Sequence, residues 1–287
     1  MILFMVSGFS FFHNVCDLGY PFIESILSVL PLVDEFIAVV VKSSDETLKK
    51  ISSIKDKKIK IIEVESYDNL HGVEYYRFYT NLALSHCKGF WRIYIQADEV
   101  LVEDGYEIIK SAMKKYESSD KVLGLVLMYR HFYGSPKYYH DSAPWYRWEI
   151  RILKYARGIS AWRDAQGFRI NGKKISVAVI PAYIHHYGWM LPQEYIKRKI
   201  SRAIKIRYSK EIEIKDVLTQ TEGLKIFDGK HPSCMKDFIE KNEWTFEPKI
   251  KPLPYKRKIQ KLIADITERI FKRRFLEYQN FKIVEYF

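Results

Sequence analysis

Apolar and polar positions alternate along the first hundred residues in a strand–helix rhythm. Residues 1–12 are apolar and aromatic, broken by Ser7 and Gly8, and predict a first strand that runs into a loop near His13 and Asn14. Pro21 suits the first position of a helix, and Phe22, Ile26, Val29 and Leu30 recur at helical spacing until Pro31 stops them. Residues 35–41, rich in Val and Ile, predict a second strand. Ser43 followed by Glu46 has the form of a capping box, which predicts a helix opening there. Residues 58–64 predict a third strand and residues 73–87 a helix with Val73, Tyr76, Thr80, Ala83 and Cys87 on one stripe. A fourth strand, 91–100, has an apolar centre of Ile93, Tyr94 and Ile95 that stops at Gln96 and delivers Asp98 and Glu99. Unbroken alternation of this kind predicts an α/β fold with a mostly parallel sheet and helices on both faces.

Past a predicted helix at 103–116 the character changes. Strands are expected at 122–128, 147–153 and 174–184, with aromatic residues crowded between the first two. A polar, glycine-containing loop at 162–169 carries the isolated Asp164. His185, His186, Tyr187, Gly188 and Trp189 end the last strand, and a basic helix follows at 194–208. Residues 248–254 contain three prolines and read as a linker. Beyond it, Ile259, Leu262, Ile263, Ile266 and Ile270 make one apolar stripe on a basic helix. These features divide the chain into a main domain, 1–241, and a linker with a basic amphipathic helical extension, 242–287.

Charge narrows the partners. The 287 residues carry a formal net charge of +12, which suits nucleic acid, a phosphorylated substrate or an acidic membrane surface. Residues 249–274 hold ten Lys and Arg against Asp265 and Glu268, a surplus of eight. A nucleic-acid binder would spread its basic residues in one continuous stripe, so this concentration disfavours nucleic acid. A basic amphipathic helix can lie on an anionic membrane, or dock on the body with a solvated outer face. Cys16, Cys87 and Cys234 are too far apart for a metal motif or a disulfide framework. No apolar run reaches the ~20 residues of a membrane span, and residues 1–6 lack a basic leader. A cytoplasmic setting is expected, with membrane association through the C-terminal helix.

Several segments together resemble family 2-like glycosyltransferases of the GT-A fold. They are Tyr20-Pro21, Ser43-Ser44-Asp45-Glu46-Thr47, Ile95-Gln96-Ala97-Asp98-Glu99, Arg163-Asp164-Ala165-Gln166-Gly167-Phe168, His185-His186-Tyr187-Gly188-Trp189 and His231-Pro232. They occur in collinear order across about residues 4–238. The resemblance implies transfer of a sugar from a nucleotide-diphosphate donor, with inversion, to an unknown acceptor that is glycan, lipid or protein. It places Asp45 at the nucleobase or ribose, and Gln96-Ala97-Asp98 where the family has Asp-x-Asp. Gln96 replaces the first Asp but can still hydrogen-bond a ribose hydroxyl. Asp98 keeps the position of the metal-contacting carboxylate, with Glu99 beside it. His185 or His186 resembles the histidine that completes the metal or diphosphate site. The implied cofactor is Mg²⁺ or Mn²⁺.

The residues themselves leave alternatives beside these roles. Asp98 at a strand end can hold a hard cation or cap the next helix. Asp45 can serve a ligand or only the helix N-terminus. Departure of a nucleoside diphosphate needs positive charge, from a metal at Asp98 or from Arg147, Arg151 or Lys197. The acceptor hydroxyl needs a base: Asp164 is the first candidate and Glu149 the second, unless Glu149 is a structural partner of Arg147 or Arg151. Tyr133, Tyr139, Trp145 and Trp189 are candidates for an acceptor-side aromatic platform. His131 and His140 are expected at the surface without a role. Gln96 also motivates a rival reading, a GT-A-like module that binds nucleotide or sugar without catalysis.

Overall fold

Strand β2 (Glu35–Val41) is buried along its whole length, as its apolar run requires of an inner strand covered on both faces. The computed structural model describes residues 4–67, 69–141, 145–208, 217–271, 275 and 279–287. Residues 1–3 of the expected first strand and the basic residues 272–274 lie outside them. Strand β1 (Val6–Phe12), helix α1 (Phe22–Val29) and β2 are followed by helix α2 (Thr47–Ser52), β3 (Ile59–Val64), helix α3 (Gly72–Ser85) and β4 (Trp91–Tyr94). These four strands lie in the order β3-β2-β1-β4, all parallel. The chain therefore builds outward on one side of β1 and then crosses to the other, which makes β1/β4 a topological switch point.

Next come β5 (Glu99–Leu101), helix α4 (Tyr106–Lys115), β6 (Gly124–Tyr133), β7 (Ser135–His140) and β8 (Trp148–Lys154). Strand β8 joins the two halves of the sheet, antiparallel to both β4 and β6. A small sheet of β9 (Ile159–Trp162), β10 (Gly167–Ile170) and β11 (Lys173–Lys174) precedes the long β12 (Ser176–Trp189), which runs parallel to β6. Helices α5 (Gln193–Tyr208), α6 (Lys236–Lys241) and α7 (Tyr255–Phe271), with strands β13 (Lys225–Ile226) and β14 (Lys282–Tyr286), complete the chain. Phe22, Ile26 and Val29 of α1 share one apolar cluster with Ile109, Ala112 and Met113 of α4. Tyr75, Tyr79 and Ala83 of α3 pack with Phe9, Ile37 and Val39 in a second. The α/β class, a sheet flanked by helices, is thus what the alternation predicts.

Five details differ from expectation. The Ser43–Glu46 capping box does not form: Ser43 Oγ accepts the Asn14 N–H at 2.9 Å and donates to the Val41 carbonyl, and α2 starts at Thr47. The fourth strand is two, because the chain turns at residues 95–98 and β5 pairs antiparallel with β12. The predicted polar loop at 162–169 is the turn of the β9–β10 hairpin. Both β6 and β12 extend past their predicted ends, so His131, His185 and His186 lie within the sheet. Lastly, the C-terminal segment is not only helical: β14 returns to pair with β12, and Glu285 meets Lys115 at 2.7 Å. No helix among the described residues is long and apolar enough to cross a membrane.

Candidate active site

Beyond the carboxyl ends of β1 and β4 opens a cavity of about 490 Å³, a size that suits a small-molecule ligand. Its floor is the turn at residues 96–98, and its walls come from α3, α5, residues 145–146, the β9–β10 turn and the end of β12. Asp98 sits there almost fully buried, 7% exposed. Its Oδ2 is 3.1 Å from Lys199 Nζ and 3.3 Å from His186 Nε2. Burial alone would raise the Asp98 pKa, but Lys199 and His186 outweigh it and hold the carboxylate well below its ordinary range. Lys199 also donates to the Gly188 carbonyl at 3.0 Å.

Gly188 explains itself by space. A Cβ on it would lie 2.2 Å from Asp98 Oδ2 and 2.3 Å from Lys199 Nζ, so the close approach of these groups requires glycine.

Behind His186 stands His131, whose Nε2 lies 2.6 Å from the Tyr146 carbonyl. A carbonyl only accepts, so that nitrogen carries a proton. Burial, then the neighbouring His186, pushes the His131 pKa far down, and the ring is neutral. Its Nδ1 therefore accepts from His186 Nδ1 at 3.0 Å. His186 Nε2 faces Asp98 Oδ2, so the His186 ring is held between His131 and Asp98. His131 is fully buried and part of the site, contrary to expectation. His140 is buried as well, stacked 5.2 Å from Trp145 and bonded to the Gln220 carbonyl at 3.1 Å.

Asp164 lies exposed in the cavity wall, and no hydrogen bond from a described residue reaches its carboxylate. Its neighbours Arg163 (φ 53°) and Ala165 (φ 61°) both adopt left-handed backbone, a conformation that costs non-glycine residues about 1 kcal/mol or more each. The surroundings fix this turn. Gln96 Nε2 donates to the Ala165 carbonyl at 3.3 Å, and Arg151 Nη1 to the Gln166 carbonyl at 2.8 Å. Gln166 Nε2 donates to Glu149 Oε1 at 2.7 Å.

Four expected ligand groups are committed elsewhere. Glu99 receives Arg151 through two bonds of 2.8 and 2.7 Å, Tyr129 Oη at 2.9 Å and the Gln96 N–H at 3.1 Å. That fills its acceptor sites, so Glu99 is not a cation ligand and Arg151 is not a diphosphate clamp; the buried pair secures the Asp164 turn. His185 lies on the other side of β12, with Arg130, Tyr187 and Phe132, because alternate strand residues face opposite ways. Arg147 points to α7 and donates to Asp265 at 2.8 Å.

The remaining expectations divide. Glu149 is buried away from the cavity, and burial, opposed by Arg151, raises its pKa to about 8. It holds a proton near neutrality and positions Gln166 rather than serving as the base. Asp45 also lies outside the cavity wall; its two oxygens accept the Thr47 and Asp17 N–H groups at 2.9 and 2.8 Å. Trp145 and Trp189 line the cavity. Tyr133 is buried behind them with its hydroxyl on Gln220, and Tyr139 packs instead with Phe132 and Phe227. Lys197 is not in the wall, whereas Lys199 and Arg202, one turn apart on α5, are. Arg202 donates to the Asn14 carbonyl at 3.1 Å, and His13 and Tyr75 hydrogen-bond beside it.

The chain itself offers few ligands for a divalent cation. Among the described residues no three His, Cys, Asp or Glu side chains converge as a metal group requires. Asp98 supplies the carboxylate of the floor turn, and its Oδ2 already meets the Lys199 ammonium at 3.1 Å. A hard cation beside Asp98 would take most of its oxygen ligands from water and from a substrate's phosphates.

No protein-family profile matches the sequence, and no curated protein matches it. Solved structures do. A crystal structure of S. aureus TarS, residues 1–349, is 18% identical with a TM-score of 0.33, covering 45% of this chain and 36% of that one. TarS in complex with UDP gives the same values. A mycobacterial protein is 16% identical with a TM-score of 0.31, covering 45% of this chain and 42% of that one. The chain thus spans 36–42% of the length of these structures.

Proposed function

We propose that this chain is an inverting glycosyltransferase that uses a nucleoside-diphosphate sugar. One observation carries the reading: Asp164, whose carboxylate accepts no hydrogen bond from the described residues, shares a switch-point cavity with the Asp98–Lys199–His186 cluster and Arg202. The cations suit a diphosphate, and the carboxylate suits a proton. In this reading the acceptor hydroxyl oxygen attacks the anomeric carbon and its proton passes to Asp164. The bond from that carbon to the diphosphate oxygen breaks on the opposite face, which inverts the centre. Lys199 and Arg202 balance the charge that develops on the leaving diphosphate. Asp98 keeps Lys199 in place, and Trp145 and Trp189 offer faces on which a sugar can stack.

The test is a panel of nucleotide sugars scored for thermal stabilisation and for nucleoside-diphosphate release. Asp164→Asn should abolish release and retain stabilisation. Release that survives Asp164→Asn contradicts the assigned base. Stabilisation without release in the native chain favours the non-catalytic binding module.

A further inference from the structure

Helix α7 is docked with its polar side inward. Ala264 is buried, and the half-buried residues beside it are Gln260, Lys261, Asp265, Thr267 and Glu268. Asp265 makes the ion pair with Arg147. Outward, Ile259 is 39% exposed, Leu262 59%, Ile263 38%, Ile266 46% and Ile270 65%. At 3.6 residues per turn these five side chains fall within an arc of about 100°, opposite Ala264 and Glu268. A surface helix ordinarily turns such a stripe to the core. Here a salt bridge holds the reverse arrangement, and the apolar face is left for something outside the chain.

The flanks say what that is. Exposed Lys258 and Arg269 border the stripe on one side and exposed Lys256 on the other. Of the two acids on the helix, Asp265 is already neutralised by Arg147. A second copy of the chain would bring its own +12 charge against this face. The complementary surface is apolar in the middle and anionic at the edges, which describes a bilayer interface containing acidic lipids. Lysine and arginine stems extend along apolar surface with their charges at the headgroups. We propose that α7 lies flat in the interface of an anionic membrane, apolar stripe down. This surface is independent of the reaction proposed above.

The experiment uses the full chain with phosphatidylcholine vesicles, with and without phosphatidylserine, in a co-sedimentation assay. Binding should need phosphatidylserine and fall with salt. Leu262→Glu with Ile266→Glu should weaken it by more than about tenfold, since each change takes an apolar side chain away from the bilayer and puts a charge in its place. Lys256→Glu with Lys258→Glu and Arg269→Glu should do the same. All five sites are exposed, and an unchanged melting temperature confirms that the variants are folded. Failure to bind acidic vesicles overturns the proposal. So does binding that survives the paired glutamate change in the stripe, or a stripe variant that alters oligomeric state instead.

Discussion

Replacing Lys199 by Met tests the cavity at its floor. Methionine keeps most of the stem and removes the ammonium 3.1 Å from Asp98. The Asp98 side chain is 10% exposed and that of Lys199 19%, so the pair is mostly desolvated. Breaking a fully buried pair costs about 3–5 kcal/mol, and the partial exposure brings this to roughly 2–3 kcal/mol. At about 2–4 °C per kcal/mol for a large domain, the melting temperature should fall by roughly 5–10 °C near neutral pH. The sign with pH follows from Asp98. Its folded pKa is depressed, so its contribution is present above the unfolded pKa of about 3.9 and is lost as pH falls through the lower folded value. The gap between native chain and variant should therefore narrow below about pH 4. Nucleoside-diphosphate affinity should fall by about 10–100-fold, the loss of one cation at a partly desolvated site. Lys199→Arg should recover part of both losses. Melting and titration curves superimposable on those of the native chain would refute the assigned role of Lys199.

Three further outcomes follow from the same geometry. Gly188→Ala should mimic Lys199→Met in stability and binding, because its Cβ would occupy the space between Asp98 and Lys199; native-like melting would contradict the packing. Glu149→Gln should gain stability relative to the native chain as pH rises from about 4 to about 8, because a carboxyl with a raised pKa costs stability over that window. Melting curves against pH check this, and a gain that shrinks with rising pH would overturn it. Arg151→Met should cost about 3–5 kcal/mol by stranding buried Glu99, and should reduce turnover more than donor affinity because it frees the Asp164 turn; steady-state kinetics beside donor titration separates the two.

The parallel half of the sheet was legible because residues 36–41 of β2 and the run Ile93-Tyr94-Ile95 are apolar on both faces, which leaves little but an inner strand. Asp98 was legible as a carboxylate just after an apolar run, and Asp164 as an isolated carboxylate in a polar, glycine-containing loop. What the chain conceals is pairing at a distance. Arg151 and Glu99 are 52 residues apart, and nothing local to either announces a shared buried pair. Lys199 is one of several basic residues on α5, and only the tertiary position of the helix singles it out from Lys197. His131 looked like a surface residue because its strand seemed to end at Met128; the strand runs five residues further and buries it. The stripe on α7 was readable, but not which face docks, since that depends on Arg147 meeting Asp265 from 118 residues away.

The central claim is that the side chains at the cavity floor themselves hold the diphosphate. Calorimetric titration of the native chain with UDP, GDP and ADP, once in EDTA and once with Mn²⁺, tests it most directly. At least one nucleoside diphosphate should bind in EDTA with nearly the affinity it has with Mn²⁺, and Lys199→Met should weaken that binding. Binding that appears only when Mn²⁺ is added would contradict the account.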